Sequence, residues 1–235
     1  MRAFSAVVAS ARAPFMHFKA INGLFQSSAG TTPATANNDP VGYWHNNNGD
    51  SYNISQSTTD SRPLLQTALP SVLFDGTNDY LAYAGSTSTT VGTAIIVYKT
   101  GATAFSSRGA QVLLSSADTG SANNWFEIGI SSAGKIYIES NAGGTKNTVT
   151  GLTILSVSTA YCVAVMYDGT DYYVSINGTE ENPLIVSNVG TIAWLGNVSS
   201  PNNIVLGGTV TSAGLVRPFQ GEILEAALYA IDISS

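Results

Sequence analysis

Charge is scarce in this chain. Lys, Arg, Asp and Glu together make up 10% of its 235 residues, against about a quarter in an average soluble protein. Nine residues are basic, none of them in a run, and the net charge is −6. Nucleic acids and anionic membrane surfaces are held by clustered Lys and Arg, so neither is an expected partner. Cysteine occurs once, at Cys162, and a disulfide within the chain is impossible. Cys162 stands in an apolar run, Tyr161 to Tyr167, and is expected to be a buried core thiol. The two histidines, His17 and His45, lie far apart without a local partner, a poor start for a zinc site. No apolar stretch approaches the roughly 20 residues of a membrane span, so membrane insertion is not expected. Helical periodicity is nearly absent as well.

What is present points to strands. Apolar residues reach 44%, enough to pack a core and too many for a disordered chain. Gly, Ser, Thr and Asn fill the charge deficit, and they suit strands and tight turns better than helices. Val72-Leu73-Phe74 leads through Asp75-Gly76-Thr77-Asn78-Asp79 into Tyr80-Leu81-Ala82-Tyr83. Thr93 to Tyr98 is apolar on both faces, as a central strand should be. Trp125 to Ile130 and Lys135 to Glu139 alternate around a turn at 131–134. The clearest hairpin joins Tyr161–Tyr167 to Tyr172–Ile176 through Asp168-Gly169, whose glycine supplies the positive φ of a tight turn. Ile204-Val205-Leu206 and the stretch from Gly221 to Ala230 add two more strands. Short strands separated by regular turn signals predict an all-β sandwich or barrel.

The first eleven residues resemble a secretory signal only weakly, since the apolar core is short and Arg12 follows at once. Residues 1–13 are expected to form an N-terminal arm, and 14–235 a single β-sandwich domain. The stretch 30–60 is rich in Asn, Thr and Ser and poor in aliphatics. It reads as a long, hydrogen-bonded surface loop folded over the domain.

Three motifs together carry a resemblance. Val72-Leu73-Phe74-Asp75-Gly76-Thr77-Asn78-Asp79-Tyr80-Leu81 resembles an early "FDG…DYL" strand and turn. The segment Val163 to Gly169, continued by Tyr173 to Gly178, resembles paired strands reading "YDG … YVNG". Phe219 to Tyr229, preceded by Ile204 to Gly208, resembles a terminal "F.G.I.E…IY" strand. In order and spacing these are similar to the laminin-G-like branch of the concanavalin A-like lectin/glucanase superfamily, and the lead-in from Phe18 to Pro63 is similar to that of members from bacteria and phages. The resemblance implies a jelly-roll sandwich of two antiparallel sheets. It implies no single function, because that sandwich carries lectins, glucanases, adhesion modules and virion proteins.

Catalytic patterns are missing. Glycoside hydrolysis needs two carboxylates facing each other across a cleft. The glucanase relatives carry theirs as Glu-x-Asp-x-Glu on one strand, a pattern this chain lacks. Glu222 and Glu225 are three apart, which on a regular strand puts them on opposite faces. No Gly-x-Ser-x-Gly elbow and no phosphate-binding loop occurs. Calcium takes loop carboxylates and carbonyls, and Asp75, Asn78 and Asp79 cluster in one turn. Such residues also stabilise turns through their own side-chain bonds. Sugar binding would need exposed aromatics beside polar groups, and Trp44, Trp125 and Trp194 lie next to polar loops, although a Trp at the start of a strand is more often core or rim packing. The expected function is therefore non-catalytic. It is a virion surface protein of a phage, a capsid decoration or fibre-associated subunit. It would act by assembly with other virion or capsid subunits, as a homo-oligomer, with glycan adhesion in addition. The alternative is an extracellular, stand-alone carbohydrate-binding module or lectin. No cofactor is expected beyond calcium.

Overall fold

The computed structural model describes residues 13–49, 51–187 and 193–231. The arm expected over residues 1–13 lies outside the described residues but for Ala13. Twenty strands follow in order: β1 (Met16–Lys19), β2 (Leu24–Phe25), β3 (Tyr43–Trp44), β4 (Ile54–Ser55), β5 (Leu64–Gln66), β6 (Ser71–Asp75), β7 (Leu81–Tyr83), β8 (Gly92–Thr100), β9 (Gln111–Ala117), β10 (Asn124–Ile130), β11 (Ile136–Ala142), β12 (Thr145–Thr150), β13 (Ala160–Tyr167), β14 (Tyr172–Ile176), β15 (Thr179–Glu180), β16 (Ile185–Ser187), β17 (Asn203–Leu206), β18 (Thr209–Thr211), β19 (Gly214–Val216) and β20 (Gln220–Tyr229). A one-turn helix, α1 (Phe105–Arg108), is the sole α-helix among the described residues.

The strands form two large antiparallel sheets. The eight-stranded sheet runs β15-β14-β13-β8-β20-β6-β5, with β1 also paired to β20. The ten-stranded sheet runs β16-β12-β11-β10-β9-β17-β7-β4-β3-β2. A separate hairpin, β18–β19, packs on β9 and β10. This is the jelly-roll sandwich that the sequence leads one to expect. Strand alternation explains the core: Ile96, Tyr98, Val163, Val165, Ile223 and Leu228 point in from one sheet. Phe126, Ile128, Ile136, Ile138, Ile204 and Leu206 point in from the other. Burying such side chains contributes on the order of 1.5–3 kcal/mol each. No helix among the described residues is long and apolar enough to cross a membrane.

Three expectations need correction. Cys162 is exposed. Val163 and Val165 take the inward positions of β13, so alternation turns Cys162 to the outer face. The stretch 30–60 is largely irregular and hydrogen-bonded, as expected, but it is not all surface loop. It contains β3 and β4, which extend the ten-stranded sheet, and it buries Val41, Trp44 and Ile54 completely or nearly so. Buried Asn46 holds it to the N-terminal strand: its side chain accepts from the His17 N–H at 2.7 Å and donates to the Phe15 carbonyl at 3.0 Å. Amide side chains thus do there what aliphatics would do in a plain strand.

The third correction concerns β20. Its pairing with β8 slips between Ile223 and Glu225, so Leu224 is an extra residue in a bulge. Glu222 stands opposite Lys99 and Glu225 opposite Val97, both on the outer face. They do not form a carboxylate pair. Glu222 binds Lys99 Nζ at 2.8 Å and accepts from Ser71 Oγ at 2.7 Å, while Glu225 binds His17 Nε2 at 2.6 Å.

Candidate functional site

The outer face of the ten-stranded sheet carries a polar cluster. Register builds it. Trp125, Asn141 and Lys146 form one row across β10, β11 and β12, and Glu127, Glu139 and Thr148 form the next. Arg217 follows β19 and reaches down onto both rows. Its φ of +53° lies in the left-handed region, which a non-glycine residue adopts at a cost of order 1 kcal/mol.

Glu127 is the floor. Its side chain is 1% exposed, beneath the β18–β19 hairpin. Oε1 accepts from Thr209 Oγ1 at 2.7 Å. Oε2 accepts from Tyr137 Oη at 3.1 Å and from Arg217 Nη1. Tyr137 lies across Gly129, where any Cβ would strike the tyrosine ring and the Gln111 carbonyl. The glycine therefore clears the path by which the hydroxyl reaches Glu127. Glu139 is bound by Arg217 Nη1 at 2.9 Å, by Thr148 Oγ1 at 2.8 Å and, more loosely, by Lys146 Nζ at 3.5 Å.

The two carboxylates are pushed apart electrostatically. Burial raises the Glu127 carboxyl against the pull of Arg217 and Thr209. Burial also acts on Glu139, but bonds from Thr148 and Arg217 outweigh it and hold that carboxyl below its ordinary value. Desolvation of Arg217 is outweighed in turn by Glu127, Tyr137 and Glu139, which fix its charge.

On this floor lies a pocket of about 250 Å³ whose lining includes Asn123, Trp125, Glu127 itself, Asn141, Lys146, Thr211 and Arg217. The Lys146 ammonium and the Arg217 guanidinium sit over the Trp125 ring, 5.2 and 5.0 Å from its centroid. Such cation–π contacts are worth about 0.5–2 kcal/mol each.

The sequence candidates fare differently. Trp125 lines the pocket but is itself only 5% exposed, its ring covered by the two cations, so it is not the open stacking face expected. Trp44 and Trp194 are fully buried and offer no face to a sugar. Trp44 packs on Phe18, and Trp194 on Phe126 and Tyr167. Asp75, Asn78 and Asp79 do come together, but they satisfy one another. Asp75 Oδ1 accepts from the N–H groups of Thr77, Asn78 and Asp79, and Asp79 Oδ2 accepts from the Asp75 N–H. The Asn78 side chain donates to the Asp60 carbonyl. Arg108 closes the turn on the Gly76 carbonyl, where a Cβ would collide with its guanidinium. Asp79 is buried, and desolvation pushes its carboxyl up to about 6. Among the described residues, no group of three or more His, Cys, Asp or Glu is placed to hold a metal ion. Sequence reasoning missed Glu127, Glu139, Lys146 and Arg217. The one local signal was the acidic residue recurring on the polar side of two adjacent strands.

Two packed antiparallel sheets with a polar pocket on one outer face define a lectin-like β-sandwich. Residues 75–235 match the sequence profile of the Concanavalin A-like lectin/glucanases superfamily, and the chain belongs to that superfamily. No curated protein sequence matches it. Among solved structures, it is similar to the CBM40 module of the Ruminococcus gnavus IT-sialidase bound to α2,3-sialyllactose. The TM-score is 0.52 at 23% identity, over 62% of this chain and 78% of that one. The K499G mutant of the NanB sialidase from Streptococcus pneumoniae gives 0.56 at 16% identity, over 69% of this chain and 26% of that one. The mouse laminin α1 chain, domains LG4-5, gives 0.50 at 15% identity, over 68% and 42%. This chain thus spans about a quarter of the NanB chain. At these identities the likeness is one of fold.

Proposed function

We propose that this protein is a non-catalytic carbohydrate-binding module whose sugar site is the pocket at Trp125, Lys146 and Arg217. The observation that carries it is the pocket itself. Side-chain amides, a hydroxyl and two cations converge on a concavity the size of one sugar ring, on a fold shared with a module bound to a sialylated sugar. The paired carboxylates beneath it argue for binding rather than hydrolysis. Glu127 and Glu139 stand directly opposite each other with their pKa values driven apart, a pattern that acid–base pairs share. Yet both oxygens of Glu127 are bonded and sealed from solvent, so it has no route to a leaving group. The test is a glycan array screened with calcium and then with EDTA, followed by a search for released sugar. Binding without hydrolysis is the expected result. Loss of binding in EDTA would move attention to Asp75 and Asp79, and hydrolysis would overturn the reading.

A display role on a virion surface, as a self-associating subunit, is a second reading. It draws support from the sheet edge. Among the described residues β16 has no partner beyond β12, and it carries no charge. Ile185 and Val186 on it are 49% and 62% exposed, and Leu152 and Ile154 are exposed in the loop that follows β12. Natural edges are normally guarded by charge or proline. Two copies of an uncharged edge can pair antiparallel about a two-fold axis. Light scattering of the wild type and of Val186→Lys tests this: a dimer that the lysine splits supports it, and a wild-type monomer at high concentration removes it.

A further inference from the structure

The charges of the pocket are layered, and the layering points to the chemistry of the ligand. The carboxylates lie below: Glu127 is sealed, and Glu139 is mostly covered. The cations lie above, with Arg217 27% and Lys146 44% exposed. A ligand entering from solvent meets N–H donors before it meets any carboxylate. Both carboxylate bonds of Arg217 use Nη1, and the side chain stays part-exposed above them. A guanidinium anchored through one nitrogen on covered carboxylates, and still reached by solvent, is pre-set to receive an anion. Lys146 is the movable member. Its contact with Glu139 is long at 3.5 Å, and its head group is solvated.

We infer that the pocket selects sugars bearing an anionic group, a carboxylate or a sulfate. The group would seat on the exposed part of Arg217 and on Lys146, and Glu139 would act as the built-in competitor that it must displace from Lys146. The inference rests on the glycan reading above and adds the ligand class and a specificity-determining residue. Glu139 occupies in the empty pocket the role that the ligand anion takes in the filled one. Removing its charge frees both cations for the ligand. Removing Lys146 takes away half of the anion site without disturbing the buried Glu127–Arg217 pair.

The test uses glycan pairs that differ only in one carboxylate or one sulfate, titrated against wild type, Lys146→Gln and Glu139→Gln, with thermal melts confirming that each variant folds. The expected result is binding of the anionic member of each pair. Lys146→Gln should weaken that binding roughly tenfold, as for loss of a charge-assisted bond, and Glu139→Gln should tighten it severalfold. In each variant the readout is the ratio of anionic to neutral affinity, which should fall in Lys146→Gln and rise in Glu139→Gln. Preference for carboxylated or for sulfated members identifies the source of the anion, and either supports the inference. Equal binding of neutral and anionic members, unmoved by Lys146→Gln, overturns the inference and leaves the glycan reading standing. If no glycan binds, that reading falls. Inorganic sulfate, followed through the Trp125 indole resonance, then decides the inference alone: a shift abolished by Lys146→Gln upholds an anion site, and no shift overturns it.

Discussion

Glu222 and Glu225, three residues apart on β20, lie on the same face of the sheet. The bulge at Leu224 absorbs the odd residue, so Ile223 and Ala226 both still point into the core. A regular strand would send one of the two glutamates inward.

The bulge makes a deletion prediction. Removing Leu224 leaves Ile223, Glu225 and Ala226 in regular alternation, and the same side chains stay inside. It costs the Leu224 carbonyl's bond with the Ala20 N–H. Loss of about 1–2 kcal/mol is expected, a fall in Tm of several degrees at most. Removing Ala226 instead turns Leu228 outward and should abolish the soluble fold. Equal tolerance of the two deletions, read by expression and thermal melting, would count against the assigned register.

The buried pair makes a pH prediction. Arg217→Met leaves Glu127 without its cation and should destabilise the protein by on the order of 3 kcal/mol at neutral pH. Without Arg217 the folded-state pKa of Glu127, already raised by burial, rises further. A carboxyl with a raised folded pKa loses stability as pH rises, because only the unfolded state ionises freely. The variant should therefore be closer to wild type at pH 5 than at pH 8 in urea melts. Adding Glu127→Gln should recover most of the loss. A deficit that does not change with pH would show that Arg217 acts through packing alone.

Asp79 has its own signature. Its carboxyl sits at about 6 when folded, against an ordinary 3.8. The shift is upward, so stability from this group is full below about pH 4 and is lost as pH rises through 6. The loss is on the order of 1–3 kcal/mol. Asp79→Asn should flatten Tm against pH between 4 and 6, while its amide oxygen still accepts from the Asp75 N–H. An unchanged pH profile in the variant would place the titration elsewhere.

Cys162 should react with Ellman's reagent in the native protein, one thiol per chain. Partial burial and the nearby Glu225 charge hold its pKa above the ordinary thiol value. The rate should therefore be slow at pH 7 and climb steeply above pH 9. Reaction only after denaturation would contradict its outward orientation.

Much of the fold was legible because strand alternation and turn chemistry are local. The Tyr161–Tyr167 and Tyr172–Ile176 hairpin announces itself in eight-residue windows, and β13 and β14 pair as it requires. Core packing was the commoner expectation for Trp44 and Trp194, but the sequence could not decide it, since a tryptophan beside asparagines looks the same whether its ring faces solvent or a second sheet. The stretch 30–60 was legible as hydrogen-bonded but not as part of the sheet, because β3 and β4 are two residues each and too short to show a period of two.

The sequence by itself determined an all-β chain and its order of strands and turns, because each strand carries its own inward face in a period of two, while the two-sheet jelly roll was what the resemblance of its motifs implied. It also determined that the glucanase carboxylate pattern is absent. Only the tertiary structure decided the site. Glu127, Glu139, Lys146 and Arg217 come from β10, β11, β12 and the end of the β18–β19 hairpin, and they meet through cross-strand register. Register is fixed by which core side chains interlock across the two sheets, a relation between distant segments that no single stretch of sequence contains.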